Sequence, residues 1–200
     1  MTTAVTRKRI LEAALRLFNE SGTAAVSTNH IAAEADLSPG NLYYHFRNKE
    51  EIVRALVEAL LEDFDALWLL PQDHALGLED LQAQIRASFE IQWRYRFFSR
   101  EQVALTRHDP ILGQRLQDNY QRRMRQQKAL VQHLTDGGVL RPPQTETELD
   151  ELLAACWIVN ENWLTFLEST GQPVTYEQFQ TGSQIIARII NPLVIERSSR

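Results

Sequence analysis

The chain has 200 residues, 44% of them hydrophobic and 24% charged, with a net charge of −5. That fits one large globular domain or a small one joined to a larger one, and it excludes a disordered chain. No apolar run approaches the roughly 20 residues of a membrane helix. The basic start leads into an amphipathic segment carrying Glu12 and Arg16 instead of a secretory apolar core. The single cysteine, Cys156, leaves neither an internal disulfide nor a cysteine zinc site. The expectation is a reduced, cytoplasmic protein with no membrane partner.

The charge is unevenly spread. Residues 1–49 hold six Lys or Arg against four Asp or Glu, and the rest hold 15 against 22. A mildly basic head on an acidic body suits a protein that presents one end to nucleic acid.

In chain order, Ile10, Ala13, Ala14, Leu17 and Phe18 recur at helical spacing over about Thr6 to Glu20, and Ser21-Gly22 stops that helix. Ser27 or Thr28 caps a short helix through about Ala35. Ser38 and Pro39 then open another, over Pro39 to His45. Asn48 with Glu51 reads as a capping box for a long helix to about Leu70, ended by Pro71. Further helices are expected at Leu78 to Tyr95, Ser99 to His108 and Ile111 to Thr135. Two more follow a Pro142-Pro143 connector, at Glu148 to Glu168 and Tyr176 to Asn191, with Arg197 to Arg200 fraying. Sustained period-2 alternation is almost absent, so the fold class is all-α. We expect a three-helix helix-turn-helix head, residues 1–50, on a larger helical body, residues 51–200, with about nine helices in all.

Two short helices joined by three or four residues form the helix-turn-helix pattern. Ile31, Ala35, Leu37, Leu42 and Phe46 supply its small core. Ser38, Gly40, Asn41, Tyr43, Tyr44 and His45 remain outside on the second helix, as groups able to meet base edges and phosphates of double-stranded DNA. Thr28 and Asn29 begin the bracing helix, where free backbone N–H groups favour a phosphate. Arg7 and Lys8 read as an arm that either reaches the DNA or stays solvated.

The run from Ile31 through Glu51, IAAEADLSPGNLYYHFRNKEE, resembles the signature of the TetR/AcrR family of regulators, approximately I-A-x-x-A-G-V-S-x-G-x-L-Y-x-H-F-x-x-K-x-x-L. The preceding Arg9 to Phe18 and Gly22 resemble the family's first helix, so the likeness covers about residues 6 to 56. Asp36 stands where the family usually has glycine, and Asp tolerates the left-handed conformation better than most residues. The resemblance implies phosphate contacts by Tyr43, His45 and Lys49. It places Gly40, Asn41 and Tyr44 toward the groove. It further implies a homodimer on a palindromic operator, repression as the commonest mode, and release by a small effector.

For the dimer, the last two helices carry wide apolar arcs. Leu152, Cys156, Val159 and Trp163 on one, with Ile186, Ile189 and Ile190 on the other, resemble the family's four-helix interface. Phe64, Trp68, Phe89, Trp93, Tyr120 and Trp157, with Arg96 and Asn160 as polar groups, are candidate walls for a small hydrophobic or aromatic effector. The Arg122-Arg123-Met124-Arg125 run reads as a solvated helix face. No nucleophile elbow, zinc-protease motif, phosphate loop or local histidine cluster is present. The expectation is therefore a non-enzyme with no cofactor, no metal and no catalytic residues. The rival reading is an architectural or cell-cycle DNA-binding protein of the same fold whose aromatic interior is solid core.

Overall fold

The computed structural model of the chain describes residues 3–69 and 76–195. The fourth helix, expected to reach about Leu70, ends at Leu67, while Pro71, His74 and the fraying expected at Arg197 to Arg200 lie outside the described residues. Those residues form nine α-helices and no strand. The helices are α1 (Thr3–Ala25), α2 (Thr28–Glu34), α3 (Pro39–His45), α4 (Lys49–Leu67), α5 (Leu78–Arg94), α6 (Arg96–His108), α7 (Pro110–Asp136), α8 (Glu146–Ser169) and α9 (Tyr176–Ile190), followed by a 3-10 turn at Asn191–Leu193. None of them is long and apolar enough to cross a membrane.

Contacts divide the chain into two compact units, residues 1–62 with 95–114 and residues 63–94 with 115–200. In the first, Ile10, Ala13, Ala14 and Phe18 of α1 are fully buried, and Phe18 meets Phe97 of α6 with ring centroids 5.4 Å apart. Gly22 interrupts α1, as its position near the predicted stop suggests, but the chain stays helical to Ala25. Its φ of 75° and ψ of 161° fall in a region open essentially to glycine alone. A Cβ there would stand 2.7 Å from Glu101 Oε1. That carboxylate accepts from the Thr23 amide at 2.9 Å and also from the Thr23 hydroxyl, joining α6 to the end of α1.

Helix α6 starts at Arg96, three residues before the predicted Ser99. Tyr95 offers no side-chain cap, but Asn19 Oδ1 of α1 accepts from the Phe97 amide at 2.9 Å. The acceptor that local sequence lacks arrives through tertiary packing. Helix α7 opens on Asp109, whose Oδ1 accepts from the amides of Ile111 and Leu112 at 3.1 and 3.2 Å. Its Oδ2 takes Arg54 Nε of α4 at 2.6 Å. Burial alone would raise the Asp109 pKa, but Arg54 and the two amides outweigh it and hold the carboxyl below its ordinary value.

In the second unit, α5, α8 and α9 pack around Phe89, Leu164, Leu167, Phe179 and Ile186. Helix α9 lies so close that a Cβ on Gly182 would come within 2.3 Å of Phe89 Cε1 and 2.6 Å of Trp163 Cδ1. Helix α8 begins two residues before the predicted start, because Thr145 caps it by accepting from the Glu148 amide at 3.0 Å. The chain beyond α9 returns to the connector after α7. Val194 bridges Leu140, and Arg141 N donates to Leu193 O at 2.7 Å.

The arginine run is not a solvated face. Arg123 is 3% exposed, with its guanidinium 2.8 Å from Asp65 Oδ1, and Arg122 reaches Asp65 Oδ2 at 2.7 Å. A charge run can turn inward where a half-buried carboxylate on a neighbouring helix meets it, and Asp65 at the end of α4 does so.

Candidate nucleic-acid interface

Helices α2 and α3 are built from their ends inward. Ser27 caps α2, its Oγ accepting from the His30 amide at 3.2 Å while His30 Nδ1 accepts from the Ser27 amide at 3.3 Å. This is a capping box with histidine in place of the usual Glu or Gln. Asp36 supplies the left-handed turn residue, at φ 51°, as its sequence position predicts. Ser38 then caps α3 by accepting from the Asn41 amide at 3.2 Å, with Pro39 as the first helical residue.

The angle between the two short helices is fixed from three sides. Inside, Ile31 and Leu42 are fully buried and Phe46 nearly so. From α1, the Arg9 guanidinium donates to the Ala35 carbonyl and, at 3.3 Å, to that of Asp36, with the Asp36 carboxylate 3.7 Å away. A cation thus sits at the C-terminal end of α2, where helix carbonyls favour it. Arg7 does the same for α3, donating to His45 O at 3.3 Å and lying 4.1 Å over the Phe46 ring. Arg7 and Lys8 therefore belong to α1 and not to a free arm, and Lys8 lies 3.8 Å from Glu12 on the same helix. The roles of Arg9 and His30 escape sequence reasoning, because neither motif nor periodicity singles them out.

What remains outward is a continuous polar surface. Gly40 and Asn41 are exposed, Tyr44 is 79% exposed and Tyr43 49%, with His45 half-buried and edge-on to Tyr44. The Tyr43 hydroxyl lies 2.9 Å from Thr28 Oγ1, so hydroxyls from the starts of α2 and the middle of α3 form one pair, beside exposed Asn29. Lys49 sits differently from a free anchor. Its ammonium donates to Thr23 O at 2.6 Å and Val26 O at 3.0 Å, tying α4 to the end of α1.

In the second unit the expected effector walls are packed against other side chains, and Tyr120 and Trp157 pair with each other. Phe89 is fully buried against Phe179 at 5.4 Å, and Trp93 stacks near Phe179 and Tyr176. Tyr120 meets Trp157 edge-on at 5.0 Å, Phe64 faces Arg123 at 5.7 Å, and Trp68 is partly buried against the core. Asn160 joins a polar cluster with Ser88 and Gln92. Arg96 belongs to the first unit, where burial and Arg100 lower its pKa against the opposing effect of Glu20. An open cleft of about 440 Å³ between α5 and α9 is lined mainly by polar side chains, among them Gln82, Arg86, Glu90 and Gln180.

Of the residues expected at a dimer interface, Ile186 is buried in its own chain's core, facing α5 and α8. Leu152, Cys156, Val159, Trp163 and Ile190 pack partly against that core, and Ile189 is half-buried. Burial pushes the Cys156 thiol up to about 11, which keeps it protonated and unreactive. The outer side of α8 carries two apolar residues absent from that expectation, Ile158 at 60% and Phe166 at 50% exposure.

Comparison with known proteins matches residues 10–56 to the model of bacterial regulatory proteins of the tetR family, and residues 60–200 to a TetR bacterial transcriptional repressor model. The HTH-type transcriptional regulator TtgR of Pseudomonas putida is 44% identical over 62 residues, which are 31% of this chain and 30% of that one. The chain thus matches less than a third of that relative's length. The HTH-type transcriptional repressor KstR2 of Mycobacterium tuberculosis is 29% identical over 95% of this chain and 94% of its own. Its solved structure, described as that of a ketosteroid transcriptional regulator, superposes with a TM-score of 0.63 at 23% identity, covering 95% of each chain. A TetR-family regulator from Marinobacter aquaeolei superposes with a TM-score of 0.86 at 32% identity, covering 98% of this chain and 92% of the other. The capped, cation-braced helix pair and these full-length likenesses agree: the chain belongs to the TetR family of bacterial transcriptional regulators, DNA-binding proteins that typically act as repressors.

Proposed function

We propose that the protein is an effector-released repressor that binds a palindromic operator as a homodimer. The observation that carries this reading is α3 itself, with Leu42 and Phe46 sealed inward and Gly40, Asn41, Tyr43 and Tyr44 turned outward. Gly40, Asn41 and Tyr44 would face base edges in the major groove. The Thr28–Tyr43 hydroxyl pair, with Asn29, Ser38 and His45, would hold backbone phosphates. Lys49 uses two of its three N–H donors on carbonyls and keeps one for a phosphate.

We assign DNA reading to residues 1–50, and effector binding and dimerisation to residues 51–200. One helix-turn-helix makes few contacts, so two copies on two half-sites about 34–36 Å apart are the expected binding unit. Helices α8 and α9 are the proposed interface, with Ile158 and Phe166 among its exposed apolar groups. The relative KstR2 is described as a ketosteroid transcriptional regulator. The aromatic content of this chain's second unit supports an apolar effector here as well. Helix α4 is uninterrupted from Lys49 to Leu67, so a displacement of its far end by an effector would reach its first turn beside α3.

Selection of duplexes from a random pool, followed by footprinting, tests the first part and is expected to yield an inverted repeat. A hydrophobic compound library is then screened for release of that duplex. Operator affinity unchanged at saturation by every compound that binds would overturn the effector reading.

A further inference from the structure

The buried contact between α5 and α8 includes a polar cluster. Ser88 and Gln92 of α5, 3% and 2% exposed, find their α8 partners within a single turn. Asn160 Nδ2 donates to Ser88 Oγ at 3.0 Å, and Ser88 Oγ donates onward to Ile85 O at 2.7 Å. Gln92 Nε2 donates to Asn160 Oδ1 at 3.2 Å and to Glu161 Oε1 at 3.0 Å. Donors are thus matched along the cluster, and the acceptor capacity left over collects on Glu161.

Glu161 differs from the other carboxylates sheltered in this unit. Asp65 has Arg122 and Arg123, and Asp63 has Arg94, but Glu161 has no ion pair among the described residues. Positive groups on the surrounding helices have other settings. Lys128 of α7 holds Glu146 and Asp150, Arg86 of α5 lines the cleft facing α9 beside Glu90, and Arg188 of α9 is exposed. Burial raises the Glu161 pKa to about 7, against a smaller lowering by Gln92, and no other charged or titratable group shifts it. One turn earlier on α8, half-buried Trp157 packs edge-on against Tyr120 of α7, itself 37% exposed, and i, i+4 spacing puts Trp157 and Glu161 on one side of the helix.

The geometry points to a recognition site for an organic cation: Glu161 receives the positive group of an effector whose apolar body lies against Trp157 and Tyr120. This rests on the reading that the protein answers to an effector, and it names that effector's chemistry. A carboxylate short of a counter-charge, next to ring faces that attract cations, is complementary to a protonated amine on a flat or aliphatic body.

The test measures binding of naphthylmethylamine and its neutral isostere naphthylmethanol to the full chain by calorimetry at pH 6 and pH 8. The amine stays protonated throughout, whereas a carboxyl titrating near 7 goes from about one-tenth to about nine-tenths ionised. The amine should therefore bind about tenfold tighter at pH 8, and the alcohol equally at both. Glu161→Gln keeps an acceptor for Gln92 and should remove both the amine's advantage and its pH dependence. No amine binding, equal binding of the two compounds, or an amine preference that survives Glu161→Gln overturns the proposal. So does tighter binding of the alcohol at low pH, which would make the protonated carboxyl the donor. None of these results bears on operator release by neutral library compounds, which decides the effector reading separately.

Discussion

A methyl group added at Gly40 meets nothing within 4 Å of its own chain, whereas one added at Gly182 collides with two aromatic rings. The two glycines answer to different demands. At Gly182 the demand is internal, and Gly182→Ala should destabilise the protein by about 2–3 kcal/mol, seen as a lower midpoint in calorimetry. At Gly40 the helix itself would prefer alanine by up to about 1 kcal/mol. Gly40→Ala should therefore leave thermal stability equal or slightly raised and still weaken operator binding by tenfold or more in a mobility-shift titration. Unaltered operator affinity would remove α3's outward face from the proposed contact. Residue patterns made Gly40 and the left-handed Asp36 legible, because turn chemistry is local. Gly182 was silent, because a close approach between α9, α5 and α8 exists only in three dimensions.

Among the elements, helix existence was read correctly from apolar spacing, and the misplaced boundaries have a common cause. Helix α6 takes its first acceptor from Asn19, far away in sequence, so nothing near Arg96 marks a start. The α4–α7 junction is of the same kind. Arg54 and Asp109 lie 55 residues apart, yet their contact closes the N-terminus of α7. Arg54→Met should cost about 1–2 kcal/mol at neutral pH, since Arg54 is partly exposed and the carboxylate keeps its two amides. The pH dependence has a definite sign. The folded pKa of Asp109 is lowered, so its contribution is present above its unfolded pKa and is lost as pH falls through the lowered folded value. Without Arg54 that loss should set in at higher pH, which urea titrations along a pH series will show.

For the whole molecule, the helix-turn-helix end was the legible part, because a dense motif fixes many positions over a short span. The second unit was legible only as apolar excess, and excess does not say which way a side chain turns. Ile186 reads like an interface residue and is core, while Ile158 is exposed and went unmarked. Ile158→Asp, 60% exposed in the single chain, should leave its folding intact and convert a dimer to monomer in sedimentation velocity. A variant that remains fully dimeric would move the interface off the outer face of α8. The aromatic residues proposed as effector walls do not gather in one place: Phe89 and Trp93 face α9, while Tyr120 and Trp157 pair between α7 and α8.

The clasp between Leu140 and Val194 carries a consequence for biosynthesis. Its two sides are 54 residues apart, so α8 leaves the ribosome long before the segment that closes behind it. At about 5–20 residues per second, the stretch from Ser169 to Ile195 takes roughly 1–5 s to synthesise. Until α9 has followed it out of the ribosome, α8 carries Leu153, Leu164 and Leu167 without the α9 residues that will cover them, beside Ile158 and Phe166 on its other side. A nascent helix that is apolar on two sides is a ready substrate for a hydrophobic holdase. Chains stalled through a C-terminal extension that lets α8 emerge while α9 is still inside the ribosome should therefore be captured, and released once α9 has emerged.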